Sequence, residues 1–208
     1  MPSKSNNKSE KIHILIGITG GIGSGKSLAA HYFELLGYKV INADRLTKEL
    51  YRTNAVLKAK LVKAFGNGIL NAKGFVSGTE ARKIIFSSPV NIKRVNKLVH
   101  PFVINAIEKE LTKINAKIVL IETAIAFESG FYKKLDYMIM VYSSENFRIE
   151  RVMKRDGAKK EDVEKLISLQ MDEKQKLKRS DFILFNSGKK IDLKRSVKDL
   201  TKTIETIC

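Results

Sequence analysis

The stretch Thr19-Gly20-Gly21-Ile22-Gly23-Ser24-Gly25-Lys26-Ser27 decides how the rest of the chain is read. It satisfies G-x-x-x-x-G-K-[ST], with an apolar run (12–18) before it and a helical pattern after it. Glycines at this density let successive backbone N–H groups turn inward around a phosphate, and a helix beginning near Lys26 adds its positive end. Gly21, Ile22, Gly23, Ser24 and Gly25 are the expected wall of a triphosphate site. Lys26 would reach the β- and γ-phosphates, and the Ser27 hydroxyl would meet Mg²⁺. The alternative is a glycine-rich turn that binds nothing, and eight matching positions with both flanks in place weigh against it.

Working outward, five short apolar runs read as strands: 12–18, 38–41, 118–121, 137–142 and 182–185. They are continuous rather than alternating, the pattern of parallel strands covered on both faces by helices. Helical patterns separate them, so the fold class is α/β, a five-stranded parallel sheet built from βαβ units. A buried stripe of Leu28, Ala29, Tyr32, Phe33, Leu35 and Leu36 marks the first helix, and Gly37 ends it.

About 75 residues separate the second and third strands, several times what one crossover helix needs. They read as helices over 45–52, 55–65, 79–86 and 91–114, with a loop or small hairpin over 66–78. His100-Pro101 lies inside the last of these, and the proline is expected to kink or divide it there. A second excursion, 143–180, is helical and highly charged, with Gly157 midway. The expected organisation is a polar, disordered leader (1–11) followed by one domain (12–208). Its core is 12–44, 115–142 and 181–208, with a helical insertion over 45–114 and a helical lid over 143–180.

The 208 residues are 43% hydrophobic and 29% charged, which fits a globular chain and argues against wholesale disorder. No apolar run approaches the roughly 20 residues of a membrane-spanning helix. The leader lacks the cleavage pattern of a signal peptide and the arginines of a transit peptide, so a cytoplasmic location is expected. The single cysteine, Cys208, cannot form an intrachain disulfide. The net charge is +17, yet only nine of the 39 basic side chains are arginine. A scattered lysine excess reads as compositional bias and solubility or, alternatively, as a surface for polyanions.

A phosphate loop alone indicates nucleotide, not reaction. Asp44, just past the second strand in Val40-Ile41-Asn42-Ala43-Asp44, sits at the sheet edge where open α/β sheets bind ligands. It could orient or deprotonate an acceptor hydroxyl, or merely cap the helix expected from Arg45. Arg148, Arg151 and Arg155 fall at i, i+3, i+7 on one helix face, where guanidinium groups could stabilise a transferring phosphoryl group or simply form a solvated face. His100 reads as structural or as a substrate contact at the kink. Glu122 could hold a metal-bound water; it and Glu128 are otherwise exposed loop acids. No transition-metal spacing and no Ser-His-Asp order stands out.

Together these positions resemble the dephospho-coenzyme A kinase family of P-loop small-molecule kinases. The resemblance runs from about residue 14 to 188. It rests on the glycine loop, Val40-Ile41-Asn42-Ala43-Asp44, His100-Pro101, Phe127-Glu128-Ser129-Gly130, Arg151, Arg155, Gln170, Ser180-Asp181 and Asn186-Ser187-Gly188. It implies a P-loop kinase fold and transfer of phosphate from ATP, with Mg²⁺, to the ribose 3′-hydroxyl of dephospho-coenzyme A. Asp44, Lys26, Arg151 and Arg155 would be catalytic. Leu28 and Asn186 would join the loop in holding ATP, and Asp44, His100 and Glu128 would contact the acceptor. The family usually has Asp-Ala-Asp where this chain has Asn42-Ala43-Asp44, a threonine at Leu28, and Asp-Val-Pro-Leu-Leu-Phe-Glu at Glu122 to Glu128. A kinase for another small acceptor, such as a nucleoside monophosphate, is the nearest alternative. A nucleotide-regulated nucleic-acid-binding protein is the alternative from another class, and it lacks a recognisable nucleic-acid motif. Oligomeric state is not legible.

Overall fold

A computed structural model describes residues 13–77, 81, 84 and 88–208. The expected leader (1–11), Ile12, Gly78 and most of the helix expected over 79–86 lie outside the described residues. Of that helix only Ala81 and Ile84 are described, and both are helical.

Five strands form one sheet in the order β2-β3-β1-β4-β5, every neighbouring pair parallel. They are β1 (Ile14–Thr19), β2 (Lys39–Asn42), β3 (Ile118–Glu122), β4 (Tyr137–Tyr142) and β5 (Phe182–Phe185). The central three bury 12 of their 17 residues and expose none of the rest fully, as their apolar runs require. Helices α1 (Lys26–Leu35) and α8 (Lys190–Ile207) cover one face, where Phe33, Ile16, Ile139, Leu193 and Val197 are fully buried. On the other face Ile41, Val119 and Ile121 pack with Ile107 of α4 (Pro89–Leu111).

The first excursion contains α2 (Ala43–Thr53), α3 (Ala55–Phe65) and α4, and has a core of its own around Leu57, Leu61, Val95 and Val99. Between α3 and α4, a 3₁₀ turn at Asn67–Ile69 leads into an antiparallel bridge from Leu70 to Val76. The Asn71 side chain accepts the N–H groups of Lys73 and Phe75 there, which shapes a small hairpin. Pro101 does not divide the helix: α4 runs through it as one 23-residue helix. An interior proline costs roughly 3 kcal/mol. Val95, Val99 and Ile107 bury apolar surface on both sides of it, and burial of this kind contributes about 1.5–3 kcal/mol per side chain.

The second excursion is three helices: α5 (Glu145–Asp156), α6 (Lys160–Ser168) and α7 (Glu173–Lys178). Gly157 ends α5 with a left-handed backbone, φ 63°. Ile149, Val152 and Val163 form a small core, and Ile22 of the glycine loop packs against it.

Candidate active site

Three strands deliver the site. The glycine loop leaves the carboxyl end of β1, α2 starts directly from β2, and Glu122 ends β3. Register aligns Glu122 with Ile18 on one side and Asn42 on the other, so loop, helix start and acid meet at one edge of the sheet.

The loop has the backbone its sequence demands. Gly23 and Gly25 lie at φ 79° and 94°, and a side chain at Gly25 would strike the Asn186 amide. That amide donates to the Ser24 carbonyl at 2.7 Å, tying the loop to the end of β5. Lys26 and Ser27 open α1. The Lys26 Nζ stands 3.6 Å from Asp44 Oδ2, an ion pair that bridges the loop and α2. The Ser27 hydroxyl donates to Glu122 Oε1 at 2.5 Å, leaving its lone pairs for a cation. Glu122 is 2% exposed, and its second oxygen accepts from Asn42 Nδ2. A hydroxyl beside a buried carboxylate is hard-oxygen chemistry, the kind that suits Mg²⁺. Among the described residues no three His, Cys, Asp or Glu cluster as a metal cage. The observed donors therefore fit an ion held largely by phosphates and water.

Asp44 does not cap its helix. The helix begins one residue earlier, and the cap is Asn42, whose Oδ1 accepts the Arg45 N–H at 2.7 Å. Asp44 thus sits in the first turn with its carboxylate committed to Lys26 and to a second pocket. That pocket, about 550 Å³ and largely apolar, is walled by Tyr51, Val99, His100, Ile104 and Ile125. A separate cleft of about 520 Å³ is walled by Gly21, Gly23, Gly25, Lys26, Arg151 and Arg155. Lys26 lines one and Asp44 the other, so the ion pair stands at their junction.

His100 belongs to the apolar pocket, with its Nε2 buried and unpaired among the described residues. Burial holds its pKa below the ordinary value, so the ring is neutral near pH 7. Tyr51 is half-buried, and its phenol is pushed up to about 12 by desolvation.

The three arginines of α5 have three different environments. Arg148 is 2% exposed and pairs with Glu173 at 3.2 Å, packed against Gly21. Arg151 donates to the Asn186 carbonyl at 2.7 Å, to Ser143 at 3.2 Å and to the Gly23 carbonyl at 3.4 Å. Arg155 is 64% exposed at the cleft rim, doubly bonded to Asp156 at 2.7 Å. The Gln170 side-chain Oε1 accepts the Ile22 N–H at 2.9 Å, a further brace from the second excursion to the loop. Glu128 does not line the apolar pocket. Its Oε1 accepts the Met171 N–H at 3.0 Å and pairs with the fully buried Lys176 at 2.6 Å. Leu28 packs at the edge of the main core and does not line the glycine-walled cleft. Sequence reasoning missed Asn42 as a working residue, and Lys176, Tyr51 and Ile125 altogether. The signal available for Asn42 was its place beside Asp44 at a strand end.

The chain matches a family model described as dephospho-CoA kinase over residues 14–192. A dephospho-CoA kinase of Leptospira interrogans is 38% identical over 200 residues, covering 96% of this chain and 97% of its own. A crystal structure of a Thermus thermophilus protein superposes with a TM-score of 0.79 at 33% identity, over 93% of this chain and 98% of that one. A dephospho-CoA kinase from Campylobacter jejuni gives 0.65 at 25% identity, over 91% and 96%. With a glycine loop, a strand-end acid and two adjoining clefts on a P-loop kinase sheet, and with a match over most of its length, this chain belongs to the dephospho-CoA kinase family.

Proposed function

We propose that this protein transfers the γ-phosphoryl group of ATP to the ribose 3′-hydroxyl of dephospho-coenzyme A, giving coenzyme A and ADP. The observation that carries this reading is the Lys26–Asp44 pair at 3.6 Å, where a glycine-walled cleft meets a largely apolar pocket. Backbone N–H groups of residues 21–27 hold the triphosphate, and Lys26 follows the charge of the transferring group. Asp44 takes the proton of the acceptor hydroxyl as its oxygen bonds the γ-phosphorus and the bond to the ADP oxygen breaks. Ser27, with Glu122 behind it, would hold Mg²⁺, which offsets charge on the β- and γ-phosphates.

In this reading residues 45–114 are the acceptor-binding insertion, with His100 and the apolar wall against the acceptor. Residues 143–180 are the lid, which brings Arg151 and Arg155 to the donor and excludes water. Leu28 and Asn186 complete the ATP site. Glu128 serves the acceptor side by fastening the lid to the loop after β3. No helix among the described residues is long and apolar enough to cross a membrane, and the cytoplasm, with its ATP, suits the reaction.

Incubation with Mg-ATP and dephospho-coenzyme A should release ADP and yield a product phosphorylated at the 3′ position. A panel of nucleoside monophosphates should not substitute. Asp44→Asn should lower kcat by about 10²–10⁴-fold with ATP affinity little changed; near-normal turnover would remove Asp44 as the base.

A further inference from the structure

Asn42 makes more contacts than a helix cap requires. Its amide orientation is fixed, because the Arg45 N–H can only donate and therefore takes Oδ1, at 2.7 Å. Nδ2 is left to face Glu122, and it donates to Oε2 at 2.5 Å. The other oxygen of Glu122 accepts from Ser27 at 2.5 Å. A carboxylate 2% exposed is costly to bury without donors, and here each oxygen has one. The chain Arg45 N–H to Asn42 to Glu122 to Ser27 thus runs without a gap from the first turn of α2, which carries Asp44, to the first turn of α1, which carries Lys26.

We propose that Asn42 is a positioning residue for phosphoryl transfer, acting through Glu122; this rests on the kinase reading above. One end of its amide sets where α2 begins, and with it the placement of Asp44. The other end pins Glu122 so that the Ser27 proton points away from the cleft and its lone pairs point in. Against this chain's Glu122, which is one methylene longer than the family's usual aspartate and already reaches Asn42 Nδ2, an aspartate at position 42 would keep the cap and the shape while presenting an acceptor to an acceptor. A serine would keep the cap, being nearly as good an N-cap as asparagine, and would fall short of Glu122.

Two variants and two readouts test this. Calorimetric titration of the whole protein with ATP, in EDTA and in Mg²⁺, needs no acceptor and reads the metal side alone. Asn42→Ser should bind ATP in EDTA within twofold of the parent and lose at least fivefold of the strengthening that Mg²⁺ confers. Turnover of dephospho-coenzyme A should fall tenfold or more in both Asn42→Ser and Asn42→Asp, with the acceptor KM within threefold. In a Glu122→Gln background, Asn42→Ser should add less than twofold. A lowered thermal midpoint with parental Mg²⁺ dependence and turnover in both variants would reduce Asn42 to a cap and overturn the proposal. Fully additive effects with Glu122→Gln would overturn it as well. If dephospho-coenzyme A is not the acceptor, the kinase reading fails on the parent protein, while the calorimetric arm still judges Asn42.

Discussion

The two clefts that meet at Lys26 and Asp44, the donor and acceptor sites of the proposed reaction, would recognise their ligands by different means. On the donor side the glycine loop's share of the wall is backbone, faced by the basic side chains Lys26, Arg151 and Arg155: Gly21, Gly23 and Gly25 offer N–H groups, and a side chain on any of them would meet a neighbour. On the acceptor side the wall is side chains, Tyr51, Val99, Ile104 and Ile125 among them, supplied by α2, by α4 and by the segment after β3. A backbone cradle needs a fixed local conformation and tolerates almost no substitution. An apolar wall needs volume and shape, which several side chains can provide.

The sharpest way to break this contrast is Gly25→Ala. The position has φ 94°, and the added methyl would displace the Asn186 amide from the Ser24 carbonyl. ATP affinity should fall at least a hundredfold by calorimetry while acceptor binding stays within threefold. Loss of both together would show that the two clefts are one cooperative unit.

The arginines sharpen the donor side. Arg155→Ala removes an exposed guanidinium, so the thermal midpoint should hold within about a degree while kcat falls roughly tenfold or more. Arg151→Ala removes three hydrogen bonds to the loop, Ser143 and the end of β5. Such bonds from a charged donor contribute about 1.5–3 kcal/mol, so its midpoint should drop by roughly 5 °C and the ATP KM should rise with it. An unchanged midpoint in Arg151→Ala would move it from the framework of the loop to the chemistry alone.

On the acceptor side, His100→Gln should raise the acceptor KM a few-fold and leave the ATP KM alone. It also has a pH signature. Burial holds the folded-state pKa of His100 below its ordinary value of 6.5. The unfolded chain therefore takes up this proton first, and the contribution to stability is intact above pH 6.5 and lost as pH falls below it. Thermal midpoints measured from pH 7.5 down to 5 should decline less steeply in His100→Gln than in the parent. Parallel curves would show that the imidazole is solvated and not part of the wall.

The same contrast explains what was legible in the sequence. The glycine loop is local, so nine consecutive residues and two flanks announce it, and the strands announced themselves by short apolar runs, interrupted in β2 by Lys39. Asp44 was legible as a strand-end acid, although its helix starts at Ala43 rather than Arg45 and leaves the capping to Asn42. The acceptor wall was not legible, because Tyr51, Val99 and Ile125 are ordinary core residues until three segments converge. Nor was the partner of Glu128, since Lys176 is one lysine among many until tertiary packing buries it. A division at Pro101 was expected from local propensity alone, and burial on both sides of it keeps the helix continuous.

Two ion pairs hold the second excursion in place: Arg148 with Glu173 ties α5 to α7 within it, and Lys176 with Glu128 fastens it to the loop after β3. Arg148 and Lys176 are sealed from solvent, and the four charges cancel two against two. Exchange of Glu173 or Glu128 for a neutral residue would strip the near partner from a cation held in a dry interior, a heavier penalty than losing the pair together. Sequence drift at these four positions is therefore constrained to travel in couples, and a lone change at any of them should be read as damage until its counterpart is found to have changed as well.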